Sequence, residues 1–270
     1  MSSVVNFSTK NKSGYLSNKV NCIEQIFNRL PDHINEIYTN VVNEIINLQC
    51  LNFSVPIEDS LRIKQMVEEF SKGNPQPINY DKYWRAFNKN FFLKNLYKAF
   101  ITIAYLQSHG FIAPNTDLPI IDVGCGAGVF AIAWMKLFSE CISTSIFIDR
   151  NRFQLELARQ IAIIFKARQF EFYNASFPDE FDQLHGIRLF SYWFCEQEDI
   201  GALFEDTNSS KVVGEGALVI DYRYIIDRLQ NVITPKYIFT RWAIRVEDSP
   251  KILFENNQKE QYIYGAYFRP

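Results

Sequence analysis

The chain has 270 residues, of which 47% are hydrophobic and 21% charged. This length suits one large α/β domain, or a core domain with a smaller appendage. The aromatic content (24 Phe, 14 Tyr and 4 Trp) excludes general disorder, because so many rings must be buried or line a pocket. Only 11 residues are glycine, so a local cluster of glycines is informative.

The net charge of −2 at pH 7 argues against a dedicated nucleic-acid binder, which is usually basic. Residues 1–115 carry 12 Lys and Arg against 9 Asp and Glu, and residues 116–270 carry 16 against 21. Neither part predicts a strong phosphate-binding surface, although the mildly basic first part leaves RNA binding open as a weak alternative. The 5 cysteines contain no CxxC pair and the 3 histidines lie far apart, which predicts reduced thiols and no metal site.

The N-terminus is polar and shows no apolar core of a signal peptide. The longest strongly apolar stretches are shorter than the ~20 residues that a membrane-spanning helix needs. We therefore expect a soluble, cytoplasmic protein without a membrane segment. The sequence does not indicate an oligomeric state.

Residues 1–115 predict an N-terminal helical domain that serves as lid and substrate-binding part. A first helix is expected from Asn21 to Pro31, because Asn21 and Glu24 resemble a capping box and apolar residues follow at helical spacing, namely Ile23, Ile26, Phe27 and Leu30. Further helices are expected over 32–48, 57–70 and 81–108, the last of them either continuous or broken into two. The segment 114–119 resembles a linker.

After residue 118, short apolar runs alternate with amphipathic helical patterns, which is typical of a doubly wound parallel sheet. Strands are predicted over 118–123, 145–148, 169–173, 187–193 and 217–221. Helices are predicted over 129–138, 153–165, 199–209 and 222–229. Two long strands follow at 236–246 and 261–268, and the lack of a helix between them predicts an antiparallel edge strand. Residues 116–270 therefore form the predicted sheet domain.

Three glycines follow the first strand of this sheet in the sequence Asp122-Val123-Gly124-Cys125-Gly126-Ala127-Gly128. Such a turn needs positive φ, which glycine tolerates, and the amides at the following helix N-terminus favour an anionic or polar ligand group. Asp149 ends the next strand, where a carboxylate can accept both hydroxyls of a ribose. Val129 breaks the dinucleotide fingerprint GxGxxG, and a P-loop ending is absent.

The pattern Asp-x-Gly-x-Gly-x-Gly after a strand resembles motif I of the class I S-adenosylmethionine-dependent methyltransferases. The resemblance covers residues 118 to about 221, and continues to 270 by topology alone. It implies a Rossmann-like seven-stranded doubly wound sheet in the order 3-2-1-4-5-7-6, with strand 7 antiparallel. It also implies S-adenosylmethionine as the cofactor.

By the same resemblance, Asp122 and the glycines hold the methionine end of the cofactor and Asp149 holds the ribose. Asn174 and Ala175 stand where the family often has Asp-Ala at the adenine edge, and Arg150 stands where an apolar residue more often covers the adenine. The expected cofactor-binding residues are Asp122, Gly124, Cys125, Gly126, Gly128, Asp149, Arg150, Asn174, Ala175 and Ser191.

In this fold the acceptor is expected beyond the fourth strand of the sheet, at residues 191–196. Aromatic rings attract a sulfonium cation through their negative faces. The candidate catalytic residues are therefore Tyr192 and Glu196, and the candidate substrate contacts are Tyr15, Trp193 and Tyr222, with Tyr224 as a further ring at the same mouth. Alternatively, Tyr192 belongs to the core and Glu196 caps a helix.

Five cations follow the long fourth helix, and we interpret them as a solvated face rather than a phosphate-binding stripe: Lys82, Arg85, Lys89, Lys94 and Lys98. The Asn/Asp-Pro-Pro-Tyr signature of amino-methylating nucleic-acid enzymes and the Pro-Cys pair of base C5 methylation are both absent. These absences make nucleic acid an unlikely partner and favour a small-molecule substrate.

The favoured function is methyl transfer to a small molecule by direct in-line displacement at the sulfonium methyl. One alternative breaks the aminocarboxypropyl bond instead and releases methylthioadenosine, as in an azetidine-2-carboxylate-forming cyclase or a nicotianamine- or opine-type synthase. The glycine-proline loop usual in such synthases is not matched by residues 126–128. An rRNA methyltransferase and an inactive binding protein are the remaining alternatives.

Overall fold

The structure is a computed structural model, and it describes residues 21–27, 31–112, 118–138, 143–166, 169–178, 181, 184–233, 237–246 and 261–270. Within these residues eight strands form one sheet. They are β1 (Asn21–Phe27), β2 (Ile120–Val123), β3 (Ser145–Ile148), β4 (Phe170–Tyr173), β5 (Ile187–Ser191), β6 (Gly216–Asp221), β7 (Ile238–Val246) and β8 (Gln261–Arg269).

The described α-helices are α1 (Asp32–Asn47), α2 (Ile57–Ser71), α3 (Tyr80–Ser108), α4 (Val129–Leu137), α5 (Arg152–Ala162), α6 (Asp206–Val213) and α7 (Arg223–Val232). None of these helices combines the length and the apolarity that crossing a membrane requires.

The sheet order is β4-β3-β2-β5-β6-β8-β7-β1. Only β8 runs antiparallel to its neighbours, β6 and β7, while the other pairings are parallel. Counted from β2 onward, the strands stand in the order 3-2-1-4-5-7-6 with the seventh antiparallel. The predicted Rossmann-like doubly wound sheet is therefore confirmed, with β1 as an additional eighth strand at one edge.

The predicted first helix between Asn21 and Pro31 is wrong, because residues 21–27 form the strand β1. It pairs in parallel with β7 along its whole length, from Asn21 opposite Thr240 to Phe27 opposite Val246. Without β1, the strand β7 would present a row of unpaired backbone groups at the sheet edge. Helical spacing of apolar residues reports only local preference, and this long-range pairing overrides it.

Two boundaries in the second half also differ from their predictions. The strand expected to reach residue 193 ends at Ser191, because Tyr192 adopts a left-handed φ of +56°. The helix expected over 199–209 begins only at Asp206, after a short 3₁₀ turn at Ala202–Phe204.

The helix α3 is continuous over 29 residues, and the Asn79 side chain caps it by accepting a hydrogen bond from the Lys82 backbone N–H at 3.1 Å. Its C-terminal half is buried nearly all round, as expected for a helix that is apolar on every face. This half shares one hydrophobic core with α1, α4 and the sheet. Its N-terminal half stands instead beside the ends of the strands, where it forms part of a cavity wall.

Candidate functional site

A cavity of about 1060 Å³ lies at the C-terminal ends of β2, β3, β4 and β5. This edge is where open α/β sheets bind their ligands. Residues of α2 and of the first half of α3 form the opposite wall. Small-molecule pockets measure about 300–1,000 Å³, so this cavity lies at the upper end of that range.

The cavity has two chemically different ends. The glycine-loop end comprises residues 124–127, Asp149 and Glu196. The lysine end comprises two aromatic residues that follow strands and three lysines of α2 and α3, namely Tyr192, Tyr222, Lys64, Lys94 and Lys98.

Gly124, Gly126 and Gly128 all have left-handed φ values, of +60°, +53° and +77°. A Cβ atom at Gly128 would lie 2.7 Å from the Phe147 ring, and one at Gly124 would lie 2.3 Å from the Trp193 ring. A Cβ atom at Gly126 would have the side-chain oxygen of Gln154 as its nearest neighbour, at 4.0 Å. Two of the glycines thus allow close packing, whereas Gly126 keeps space open in the cavity.

Asp149 lies at the end of β3 and lines the cavity. Its Oδ2 accepts a hydrogen bond from the Gly126 N–H and its Oδ1 accepts one from the Asn151 N–H, both at 2.7 Å. Burial raises the pKa of this carboxyl, and the two N–H donors oppose that effect. Each carboxylate oxygen can accept more than one hydrogen bond, so Asp149 can also receive the two hydroxyls of a ribose.

Asp122 is almost fully buried beneath the glycine loop, and it is not among the described residues that line the cavity. Its Oδ2 accepts a hydrogen bond from the Ala131 N–H at 3.0 Å, which holds the first turn of α4 against β2. Burial raises the pKa of its carboxyl well above the usual range. In this position Asp122 supports the loop from below, and its contact with the methionine end of a cofactor stays a prediction.

The first turn of α3 contacts the glycine-loop end, which the sequence did not indicate. The Tyr80 hydroxyl donates to Glu196 Oε1 at 2.5 Å, and the Arg150 guanidinium lies 3.6 Å from the other oxygen of Glu196. Asp81 accepts a hydrogen bond from the Asn151 side chain at 2.8 Å. Burial raises the pKa of Glu196, and the Tyr80 hydrogen bond opposes this rise. Glu196 therefore connects the end of β5 to α3.

A second pair of residues that the sequence did not indicate contributes to the cavity wall. Asn88 of α3 donates to the side-chain oxygen of Gln154 in α5 at 2.7 Å, and both side chains are buried. Both residues line the cavity. A polar residue among the apolar residues of a helix can be seen in the sequence. The separation of 66 residues between Asn88 and Gln154 does not predict that their side chains meet.

At the lysine end, Tyr192 holds a strained backbone conformation for a bulky residue, and such strain concentrates at functional sites. Its hydroxyl accepts a hydrogen bond from the Lys98 ammonium at 2.8 Å, and its ring lies 5.2 Å from that of Tyr222. Lys98 also lies 4.9 Å from the Tyr192 ring centroid. The hydrogen bond is the closer of these two contacts.

The cationic stripe predicted on α3 divides in two. Lys82, Arg85 and Lys89 are exposed, as a solvated face requires, and do not line the cavity. Lys94 and Lys98 line the cavity instead. The interpretation as a solvated face therefore fits only the first part of the stripe.

A buried carboxyl supports the lysine end from below. Asp221 ends β6, and its two oxygens accept hydrogen bonds from the backbone N–H groups of Tyr222 at 2.8 Å and Cys195 at 3.2 Å. Burial raises the pKa of Asp221 from its ordinary 3.8 to about 7. This carboxyl fixes the backbone of two residues that line the cavity.

The remaining predicted residues divide into three groups. Cys125, Arg150, Ala175, Ser191 and Trp193 line the cavity. Asn174 is exposed and is not among the described lining residues, and its side-chain amide donates to the backbone carbonyls of Asp149 and Arg150, each at 2.9 Å. Tyr15 lies outside the described residues.

No protein-family model matches the chain, and no curated protein matches it in sequence. Solved structures with a similar fold include precorrin-6y C5,15-methyltransferase from Geobacter metallireducens, at 15% identity and a TM-score of 0.47 over 62% of this chain and 86% of that one. The 16S rRNA methylase RmtB is 14% identical, with a TM-score of 0.43 over 88% of this chain and 91% of that one. TYW2 of M. jannaschii in complex with AdoMet is 12% identical, with a TM-score of 0.39 over 62% of this chain and 75% of that one.

These identities and TM-scores leave the cofactor and the acceptor to be inferred from the site itself. By their names, two of the three proteins act on different substrates, a precorrin and 16S rRNA.

Proposed function

We propose that this protein is an S-adenosylmethionine-dependent methyltransferase that acts on a small molecule. The observation that carries the proposal is the pairing of Asp149 with Gly126 at the wall of a large cavity. A carboxylate at this strand end suits the ribose diol, and the space above Gly126 admits a ligand that a Cβ would displace. The start of α4 beside Ala127 and Val129 suits the cofactor carboxylate.

S-adenosylmethionine, when bound, supplies a methyl group activated by a sulfonium centre. The protein positions the acceptor and excludes water from it. The Tyr192 hydroxyl, oriented by Lys98, has accepting capacity left for an O–H or N–H of the acceptor. Tyr192 is therefore the proposed catalytic residue and Lys98 a positioning residue. Glu196 places a carboxylate at the glycine-loop end, where positive charge on the cofactor is stabilised.

The helical part of residues 1–115 is the proposed lid and substrate domain, and residues 116–270 form the proposed cofactor domain. In support, α2 and α3 supply the cavity wall that faces the sheet. Enclosure by two helices favours a small molecule over a nucleic-acid strand, and the net charge of −2 points the same way. Free thiols at Cys50, Cys125 and Cys195 suit a reducing compartment, so we place the protein in the cytoplasm.

The proposal is tested by incubating the protein with methyl-deuterated S-adenosylmethionine, first alone and then with a cell extract, and identifying the products by mass spectrometry. We expect S-adenosylhomocysteine and a labelled metabolite. Methylthioadenosine from the cofactor alone would contradict methyl transfer and support cleavage of the aminocarboxypropyl bond. Label found in RNA would contradict a small-molecule acceptor, and binding without turnover would indicate an inactive binding protein.

The Tyr192→Phe variant tests the proposed catalytic residue in the same assay. It keeps the ring and removes the hydroxyl, so we expect kcat to fall about tenfold, the effect of losing one hydrogen bond worth about 1.4 kcal/mol in the transition state. Cofactor affinity is expected to stay unchanged. An unchanged kcat would remove Tyr192 from the mechanism.

A further inference from the structure

We propose that the acceptor of this enzyme carries an anionic group, a carboxylate or a phosphate, that binds at the lysine end of the cavity. This inference rests on the proposed methyl transfer and adds the chemical class of the substrate.

Two helices bring the three lysines to one end of the cavity. Lys94 and Lys98 stand four residues apart on α3, which places them one above the other on the same face. Lys64 comes from α2. This helix reaches the end of β6, because the Val67 carbonyl lies 3.4 Å from the Tyr222 hydroxyl and the Phe70 ring stacks on Tyr222 at 6.4 Å.

The acidic residues that line the cavity are unevenly distributed along it. Among the described lining residues of α2, the acidic one is Glu68, and its carboxylate pairs with Lys72 at 2.9 Å. The other described acidic lining residues belong to the glycine-loop side, namely Asp81, Asp149 and Glu196. Apart from Arg150, which lies 3.6 Å from Glu196, the described basic lining residues thus stand at the lysine end, whereas three of the four acidic ones stand at the glycine-loop end.

Lys98 connects anion binding to the reaction. An ammonium group has three donors, and the Tyr192 hydroxyl takes one of them. The remaining donors can bind a carboxylate or phosphate oxygen of the acceptor. An acceptor held in this way would bring its nucleophilic atom beside Tyr192, at the end of β5. A charge-assisted hydrogen bond is about twice as strong as a neutral one, so the anion is a specificity determinant.

The test uses the full-length protein saturated with S-adenosylhomocysteine, so that the glycine-loop end is filled. Inorganic phosphate, acetate and neutral acetamide are titrated separately by calorimetry into wild type, Lys94→Gln and Lys98→Gln. Lys89→Gln is the matched control, since Lys89 lies on the same helix but is exposed and does not line the cavity. The stronger of the two anions identifies the group that the acceptor carries.

We expect phosphate or acetate to bind saturably and acetamide not to bind. Each cavity variant should weaken the anion about tenfold, the scale of one charged hydrogen bond, while Lys89→Gln should not change it. Equal binding of acetamide, absence of saturable anion binding, or full anion affinity in both cavity variants would overturn the inference. Failure of S-adenosylhomocysteine itself to bind would instead refute the proposed function, so the two failures are distinguishable.

Discussion

The two ends of the cavity are built in different ways. At the glycine-loop end, backbone groups of successive strand-to-helix turns make the key contacts, as in the hydrogen bond from the Gly126 N–H to Asp149. At the lysine end, side chains from distant parts of the chain meet, as Lys98 and Tyr192 do across 94 residues. The glycine-loop end is therefore a local property of the turns, whereas the lysine end depends on how the helices dock.

The largest expected effect concerns the buried carboxyl below the lysine end. The pKa of Asp221 is about 7 in the folded protein and close to 3.8 when unfolded. Between these values the folded state binds more protons, so its stability falls as pH rises from about 4 to about 7. Above pH 8 the folded state has lost about 4 kcal/mol of stability relative to pH below 4, at about 1.4 kcal/mol for each tenfold change in proton affinity.

Urea unfolding of wild type and Asp221→Asn at pH 5 and pH 8 measures this effect. The variant does not titrate at this position, so its free energy of unfolding should decrease less between the two pH values. Equal losses of stability in the two proteins would show that the Asp221 carboxyl is not protonated in the folded state at pH 5. This result would contradict its raised pKa.

The next effect compares two glycines of one loop. In Gly128→Ala the new methyl meets the buried Phe147 ring at 2.7 Å, at a φ of +77°, which we expect to cost about 3 kcal/mol of stability. In Gly126→Ala the methyl enters the cavity, so the strain should cost only about 1 kcal/mol but S-adenosylhomocysteine affinity should fall about tenfold. Thermal unfolding and calorimetric titration measure the two quantities. Equal losses of affinity and of stability in the two variants would contradict the assignment of Gly128 to packing and of Gly126 to ligand space.

A smaller effect is expected where α3 meets the glycine-loop end. Tyr80→Phe removes the hydrogen bond to Glu196, which is worth about 1 kcal/mol. S-adenosylhomocysteine affinity should therefore fall about fivefold. Tyr83→Phe is the control, because Tyr83 lies on the same helix and does not line the cavity. Equal affinity in the two variants would show that the first turn of α3 does not help to bind the cofactor.

Much of the fold could be predicted from the sequence, because the strands β2 to β6 are short apolar runs bounded by turn residues. The order of the sheet followed from the resemblance carried by the glycine loop. The strand β1 could not be predicted, since its apolar residues fit helical spacing and only pairing with β7 selects the extended form. The early end of β5 could not be predicted either, because no local sequence feature indicates a left-handed conformation at Tyr192.

The candidate site was predicted in the same uneven way. Gly126 and Asp149 belong to adjacent turns, and the motif and the strand end placed them correctly at one edge of the sheet. Lys98 was assigned to a solvated face, because a helical pattern gives the spacing of charges but not the element that the face packs against. Tyr80 carried no signal beyond its place at the start of α3, since its partner Glu196 is 116 residues away.

The central claim is that Asp149 and the glycine loop hold S-adenosylmethionine. Calorimetric titration of S-adenosylhomocysteine into wild type, Asp149→Ala and the exposed control Glu156→Ala of the neighbouring helix tests it most directly. Thermal unfolding of each variant confirms that it is folded. We expect one site in wild type and in the control, and about 100-fold weaker binding in Asp149→Ala, since two charged hydrogen bonds to the ribose are lost. Equal affinity in all three proteins, or no binding to wild type, would contradict it.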